Sequence, residues 1–491
     1  MHTYVLLNIK YSIIRNNVNI HPTVKEITDI FTQADKQVYL VGGAVRDLLQ
    51  NRKVKDWDLA TDARPEEVIA LFQRRKTRSN GNSGREKTTA PLRSFVIPTG
   101  IKHGTVTVHY KDLSMEVTTF RSESGYSDGR RPDSVEFGVS IEADLSRRDL
   151  TMNAAAYKLP SGPLVDPYDG RGDIKRRIIR CVGNPEERFS EDGLRPVRAV
   201  RFASQLGFTV DEKVLAAIPG ALPLTAKVSA ERIRDELDKI IASDKPSTAL
   251  LLMEKTGLLA LLIPELAVCR GIAQDRIHGY GFHRFDVLDH SLLACDFAAR
   301  EGAPPEVRLA VLYHDIGKPV TAQIDNEGYR TFYRHEKESS ALTRQLLLRF
   351  RYPTAMMENV CHLIEEHMFL YDDSWTDAAV RRFIMRVGEE SLPDLYALRR
   401  ADSYGMAGKE PPRDFLLPLA DRIEETLAES RALSIKDLAV SGNDLMASGI
   451  DPGKRMGIIL RELLDAVVED PALNTRDKLL EIAGKINQRY F

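Results

Sequence analysis

What most constrains the fold of this chain is the place where its β signal stops. The stretches "GTVTVHY" and "SMEVTTF" alternate β-branched residues with others and are separated by a short polar turn around Lys111 and Asp112, the pattern of a half-buried hairpin. Ahead of them, "TVKEITDIFTQA" from residue 23 has a helical period, "QVYLVGG" is a short apolar run ending in a glycine turn, "AVRDLLQ" resumes as a helix and "DWDLAT" adds a strand. After about residue 140, beginning with "IEADLSRRDLTMNAAAY", almost everything reads as helices with short breaks. An α+β fold follows, with a small mixed sheet first and an all-α body after it. The 491 residues are too many for one core and predict about three or four units.

Charge excludes little, since Lys and Arg nearly balance Asp and Glu at a formal net charge of −2. A nucleic-acid partner would have to be met by a local basic surface. Cys181, Cys269, Cys295 and Cys361 are far apart and form no CxxC pair, which argues against a disulfide framework or thiolate zinc site and fits a reducing cytoplasm. The amino end has only a brief apolar run without a small-residue cleavage site, and no membrane-length apolar segment occurs. A soluble cytoplasmic protein without a membrane partner is expected. Residues 74–94, "RRKTRSNGNSGREKTTAPLRS", lack hydrophobic periodicity and read as a basic disordered insertion within the sheet region, a solvated loop rather than a nucleic-acid arm.

Asp56 and Asp58 stand one residue apart in "KDWDLATD". On a strand, carboxylates at i and i+2 point the same way and repel unless a cation sits between them. Hard oxygen ligands suit Mg²⁺, which also reaches for phosphate oxygens, and Glu116 in "MEVTTFR" offers a third acid from a neighbouring strand. Alone, such an acid pair is weak evidence. Upstream, "VGGAVRD" puts Gly42 and Gly43 between a strand and a helix, where bare N–H groups can meet phosphate and Arg46 adds a charged donor; a plain turn would need the same glycines. Asp47 reads as a stabiliser of the helix start.

The strings "YLVGGAVRDLL", "DWDLAT", "EVTTFR", "RRDLTMNAAAY" and "EDGLRPVRAVRF", in that order over roughly residues 38 to 240, resemble the bacterial class II tRNA nucleotidyltransferases, the CCA-adding enzymes, and their relatives the bacterial poly(A) polymerases. The resemblance implies a nucleotidyltransferase head over 23–170 after an amino-terminal extension at 1–22. It further implies an elongated all-α remainder: a neck at 171–275 that binds nucleotide and RNA, an HD body at 276–405 and a tRNA-binding tail at 406–491. Asp56 and Asp58 would hold the catalytic metals with Glu116 as third acid. Gly42, Gly43 and Arg46 would hold the triphosphate, and Arg148 and Asp149 would lie near ribose and phosphates with Asn153 in support.

In "EDGLRPVRAVRF", Asp192 and Arg195 are three apart, which predicts neighbours on one helical face, with Arg198 and Arg201 on the adjacent turns. A carboxylate acceptor beside a guanidinium donor matches the edge that cytosine and adenine share and mismatches guanine and uracil; the resemblance implies that Asp192 and Arg195 select the base while Arg198 and Arg201 address the nucleotide. "RSESGYSDGRRPDSVEFG" resembles the family's flexible loop for switching from C to A addition, with Asp128, Arg130 and Arg131 as its polar residues. "VSAERIRDELDKII" resembles the neck helix, with Ser229 as N-cap and Arg232 and Glu236 as i, i+4 partners.

Further on, "FDVLDHSLLA", "VLYHDIGKP", "YRHEKESS", "IEEHM" and "RRADSYG" resemble the HD phosphohydrolase superfamily. His290, His314, Asp315 and Asp402 match its metal ligands, implying a divalent transition metal, with His335 and His367 as ligands of a second metal or a phosphate. In the tail, Lys454 and Arg455 of "GIDPGKRMG" could meet backbone phosphate. The implied activity is template-independent addition of C, C and A to tRNA from CTP and ATP with Mg²⁺, alongside an HD phosphohydrolase activity. The rivals are a poly(A) polymerase or an A-only enzyme and, from another class, an HD phosphohydrolase whose head only binds nucleotide.

Overall fold

The computed structural model describes residues 20–73, 94–126, 129, 132–274, 284–372, 374–429 and 434–490. The predicted insertion up to residue 93, most of the amino-terminal extension, and Asp128, Arg130 and Arg131 lie outside the described residues. The chain divides into two compact units, Met1–Ile240 with Thr248–Leu262, and Ile241–Ser247 with Ile263–Phe491.

The first unit opens with α1 (Pro22–Gln33), β1 (Val38–Val41), α2 (Gly43–Leu49), β2 (Leu59–Thr61) and α3 (Pro65–Gln73). There follow β3 (Ser94–Gly100), β4 (Thr105–Tyr110), β5 (Leu113–Thr119), the hairpin β6 (Arg121–Ser124) and β7 (Ser134–Phe137), α4 (Ile141–Ser146), β8 (Ala156–Lys158) and β9 (Leu164–Val165). Seven of these strands make one sheet in the order β3-β4-β5-β2-β1-β8-β9. The β2–β5 pair is parallel, with Leu59 opposite Val117, and β1 runs antiparallel to both β2 and β8. The predicted turn between β4 and β5 is present, with Lys111 at φ 54°.

The period of two in these strands assigns the two faces of the sheet. Val38, Leu40, Leu59, Val106, Val108, Met115 and Val117 join Ile27 and Phe31 of α1 and Phe72 of α3 in one core. Tyr39, Val41 and Ala60 face the other way and pack with Ile141 and Leu145 of α4. On that second face β4 and β5 present Thr107, His109, Ser114 and Glu116, none of them buried. The sheet therefore extends past the point where the sequence pattern ends it, because β8 and β9 close its far edge. Strands of three and two residues have too few positions to display an alternation.

Helices take over from α5 (Gly170–Arg176), through α6 (Pro185–Glu191), α7 (Arg195–Leu206) and α8 (Glu212–Thr225), to α9 (Ala230–Ile241). In the second unit, the helices Val287–Arg300, Pro305–Tyr313, His335–Arg349, Thr354–Glu366 and Leu392–Ala407 pack together. A separate apolar cluster of Leu438, Leu445, Ile459, Leu463, Val467 and Leu479 builds the carboxyl-terminal region. Arg381 ties that region on by donating to the Val468 carbonyl at 2.6 Å.

Candidate active site

Asp56 and Asp58 lie in the extended segment leading into β2, where the Val41 amide donates to the Asp58 carbonyl at 3.0 Å. Trp57 between them is buried at 7% exposure with the core on the opposite face, so alternation turns both carboxylates to the second face. The parallel register that sets Leu59 opposite Val117 puts Asp58 next to Glu116 on the adjoining strand. Burial pushes the Asp58 carboxyl up, Glu116 adds to the rise, Arg148 partly offsets it and Asp56 raises it further, to about 6. Three carboxylates thus converge on one face of the sheet, over its central strands, with too little positive charge among them.

The phosphate-side residues surround the same point. Gly42 has φ 66° and ψ −134°, and a Cβ there would come within 3.1 Å of Arg148 Nη1 and 3.7 Å of Asp58 Oδ2. Only glycine keeps that gap between cation and acid open. Gly43 begins α2. Arg46 donates from Nη1 to Asn153 Oδ1 at 3.0 Å and from Nε and Nη2 to Asp47 at 3.0 and 2.8 Å, while its guanidinium lies 5.2 Å from the centre of the Phe202 ring. Asp47 therefore anchors Arg46, a different task from stabilising the helix start. Arg148 reaches the Asn153 carbonyl at 3.4 Å and pairs with Asp144 at 3.5 Å, so Asn153 supports both arginines. Asp149 accepts from Arg198 Nε at 2.7 Å and from the Leu150 amide at 2.8 Å; despite burial, Arg198 and Arg195 hold its carboxyl well below the ordinary range.

The expectation that Asp192 and Arg195 share a helical face is overturned. α6 ends at Glu191, Asp192 has extended angles of −149° and 115°, and α7 starts at Arg195. Pro196 explains the break: inside a continuous helix its ring would meet the carbonyl four residues back, that of Asp192, whereas near a helix start proline is tolerated. Asp192 accepts from the Leu194 amide at 3.0 Å and from Arg232 at 2.6 Å. Arg195 pairs with Glu191 and donates to the carbonyls of Arg188 and Arg147 at 3.0 and 3.1 Å. Arg232 and Glu236 likewise do not pair with each other. Glu236 is buried against Arg201 at 2.5 Å, and burial pushes Arg201 down to about 10 although Glu236 opposes it. Arg201, at 5% exposure and 3.7 Å from the Phe202 ring centre, has its charge committed to the fold. Ser229 stands just before α9, its carbonyl accepting from Ile233 at 3.2 Å.

In the second unit all six expected ligands meet. His290 Nε2 lies 3.0 Å from His314 Nε2 and 3.2 and 3.3 Å from Asp315 and Asp402. His335 Nε2 is 3.2 Å from Asp315 Oδ1 and 3.4 Å from His367 Nε2. His290, His314 and Asp402, and likewise His314, Asp315 and His367, are each placed closely enough to hold one ion. Nδ1 of His314, His335 and His367 contacts the carbonyl of Val311, Phe332 and Ile364 at 2.7, 2.9 and 2.6 Å. Donation there leaves each Nε2 lone pair facing the cluster, the arrangement by which proteins orient metal-binding imidazoles. Burial drives His314 down, but Asp315 and Asp402 outweigh it and lift the ring to about 10; burial and the charge on His314 drive His367 to about 3. The donor set fits a buried divalent ion.

The family model "Poly A polymerase head domain" matches residues 38–180, "Probable RNA and SrmB- binding site of polymerase A" matches 207–269 and "HD domain" matches 287–407. The CCA-adding enzyme of Lactobacillus delbrueckii subsp. bulgaricus is 34% identical over 465 residues, covering 93% of this chain and 98% of that one. The chain belongs to the CCA-adding enzyme family. Another family member, from Enterococcus faecalis, is 33% identical over 94% of this chain and 95% of its own. The crystal structure of the Bacillus stearothermophilus CCA-adding enzyme in complex with CTP aligns over 96% of this chain and 99% of that one, with a TM-score of 0.68 and 30% identity. The Thermotoga maritima CCA-adding enzyme complexed with tRNA shares the fold at a TM-score of 0.52 and 18% identity, over 95% of this chain and 96% of that one.

Within this family member, sequence reasoning missed Asp144 and Glu123. Asp144 is fully buried and binds Arg147 at 2.8 Å as well as Arg148. Glu123 joins Arg121 at 2.7 Å to Arg147 at 3.0 Å and accepts from Tyr126 at 2.6 Å. The i, i+3 and i+4 spacing of Asp144 with Arg147 and Arg148 was the available signal; for Glu123 there was none, since its partners are set by the β6–β7 hairpin. Lys318 was also missed, although it lies in the quoted "HDIGKP". Its Nζ donates to Asp315 and Gln274, both at 2.6 Å.

Proposed function

We propose that this protein adds C, C and A to the 3′ end of tRNA without a nucleic-acid template, using CTP and ATP and releasing pyrophosphate in the cytoplasm. The observation that carries the reading is the convergence of Asp56, Asp58 and Glu116 on one sheet face beside the open gap at Gly42. The RNA 3′-hydroxyl oxygen bonds to the α-phosphorus, the bond from that phosphorus to the α–β bridging oxygen breaks, pyrophosphate departs and the hydroxyl proton passes to solvent. Asp56, Asp58 and Glu116 are the residues that would hold Mg²⁺, which when bound supplies Lewis acidity for the hydroxyl and counter-charge for the leaving group. Gly42 and Gly43 leave room for the triphosphate, Arg46 and Arg148 face it, and Asp149 with Arg198 positions the sugar. Asp192 and Arg195 read the base from the junction of α6 and α7. Incubating the protein with tRNA lacking CCA and each labelled nucleotide tests this: two CTP additions followed by one ATP are expected, and ATP addition alone would assign the chain to poly(A) or A-only synthesis.

A second, hydrolytic activity is favoured by the six-ligand cluster of the other unit, where three imidazoles have Nδ1 engaged and Nε2 turned inward. We infer a divalent transition metal held by His290, His314, Asp315 and Asp402, with His335 and His367 completing a neighbouring position, acting on phosphoesters. Metal analysis of the purified protein together with phosphoesterase assay of wild type and His314→Ala tests it, and a wild type free of transition metal and inactive on phosphoesters would refute it.

A further inference from the structure

We propose that Phe95 and His109 form a stacking shelf for the RNA strand that carries the reacting 3′-hydroxyl, an inference that rests on the transferase reading above. Strand register places the shelf. Ile97 pairs with Thr107 and Phe95 with His109 across β3 and β4; Thr107 pairs with Glu116 and His109 with Ser114 across β4 and β5; and Asp58 adjoins Glu116 through the Leu59–Val117 register. Ile97, Thr107, Glu116 and Asp58 therefore form one row across a single face. Phe95, His109 and Ser114 form the next row on that face, because side chains two apart on a strand point the same way. His109 is the diagonal neighbour of Glu116, a separation of about 7–8 Å, and Phe95 stands one strand spacing beyond it, about 5 Å further from the acids.

The rings themselves are built for stacking. Phe95 and His109 lie parallel, with centroids 4.3 Å apart and planes at 16°, and Phe95 is 54% exposed with Ile97 beside it at 40%. An aromatic ring supported from below and bare above is what unpaired bases stack upon, whatever their identity.

The side from which RNA must arrive follows from the chemistry. In phosphoryl transfer the attacking and leaving oxygens lie roughly in line. The residues assigned to the triphosphate, Gly42, Arg46 and Arg148, sit at the β1 end of the order β3-β4-β5-β2-β1, so pyrophosphate leaves in that direction. The hydroxyl then approaches from across Glu116, over β4 and β3, where the shelf stands. The terminal nucleotide lies at the acids and the nucleotide before it stacks on Phe95.

The test uses the full-length protein and tRNA lacking CCA with 2-aminopurine as the nucleotide before its 3′ end. Binding to wild type should quench the fluorescence. Phe95→Ala should abolish the quench and weaken RNA binding by about fivefold or more, leave KM for CTP unchanged, and be rescued by Phe95→Trp. His109→Ala should give a smaller loss in the same direction, and it decides the matter together with Phe95→Trp if Phe95→Ala does not fold. A quench in Phe95→Ala equal to wild type overturns the shelf. CTP incorporation in the same samples reports separately on the parent reading: a Phe95-dependent quench without incorporation leaves an RNA-stacking contact but removes the transferase and the shelf's role in it, and incorporation with a Phe95-independent quench keeps the transferase and removes the shelf.

Discussion

Beside β2, Asp58 is half-buried near Asp56 and Glu116, and its carboxyl rises to about 6. In the second unit, Asp315 and Asp402 are more deeply buried, yet both carboxyls fall well below their ordinary value. Burial alone would order them the other way. Desolvation pushes Asp315 up, but His314 and Lys318 outweigh it; for Asp402, hydrogen bonds from His290 and His314 do the same, and Arg399 pairs with it as well. The second unit carries the counter-charge for its acids within its own side chains. The first leaves part of that charge to be delivered, as expected where a cation arrives with a nucleotide and leaves with pyrophosphate.

The sharpest way to break this contrast is to remove one acid or ligand from each cluster. Asp58→Ala should lower single-turnover CTP transfer by about a thousandfold or more, since several kcal/mol of charge stabilisation depend on the ion, while leaving the transition-metal content of the other unit unchanged. His314→Ala should empty that metal site and spare CTP transfer. Either variant crossing over would show that the two centres are one system. The next effect is on stability. Glu236→Ala strands the buried guanidinium of Arg201 and should cost about 3–5 kcal/mol, seen as an earlier denaturation midpoint, with KM for CTP nearly unmoved. A large rise in KM would return Arg201 to the nucleotide.

The opposed carboxyl shifts predict opposed pH responses once both sites are stripped of metal. Asp58 is raised, so its contribution is full below about pH 4 and is lost as pH climbs through about 6, by at most about 3 kcal/mol. Asp315 and Asp402 are lowered, so their contribution is present above about pH 4 and lost as pH falls below it. His314, raised to about 10, stabilises fully below about pH 6.5 and loses that effect as pH rises through 10. Between pH 4 and 6 the metal-free first unit should therefore weaken while the second holds or strengthens, as limited proteolysis of each unit would reveal. Asp58→Asn should flatten the first response. A fall in both units over this interval would contradict the assignment of counter-charge.

Local spacing carried most of what could be read in advance. The acid pair and its glycine-flanked neighbour are motifs whose geometry is set within a turn or a strand, whereas the six HD ligands lie on different helices or at their ends and were legible only through the family resemblance; the structure brings each set together. What could not be read were pairings across elements. Arg201 with Glu236 and Asp192 with Arg232 join residues about 35 to 40 positions apart, and charged residues on separate helices have no spacing rule. The Asp192–Arg195 error was different in kind, because Pro196 was visible and its conflict with a continuous helix through Asp192 follows from proline's own geometry. The β8 and β9 strands were hidden by their shortness.

The smallest effect tests how a base is read at the α6–α7 junction. Asp192 is held from two sides, by Leu194 and by Arg232, so its direction is set before a nucleotide enters. A site shaped for the amine and ring nitrogen of cytosine and adenine leaves polar groups unmatched with uracil, at about 1–3 kcal/mol for each group. Asp192→Ala should remove that penalty along with the favourable contact. The ratio of UTP to CTP incorporation should then rise by about tenfold, with RNA binding unaffected. Arg232→Ala should raise the ratio only a few-fold, because the Leu194 amide still restrains the carboxylate. If Arg232→Ala relaxes selectivity as far as Asp192→Ala does, orientation governs the discrimination; if neither moves the ratio, the base is read elsewhere.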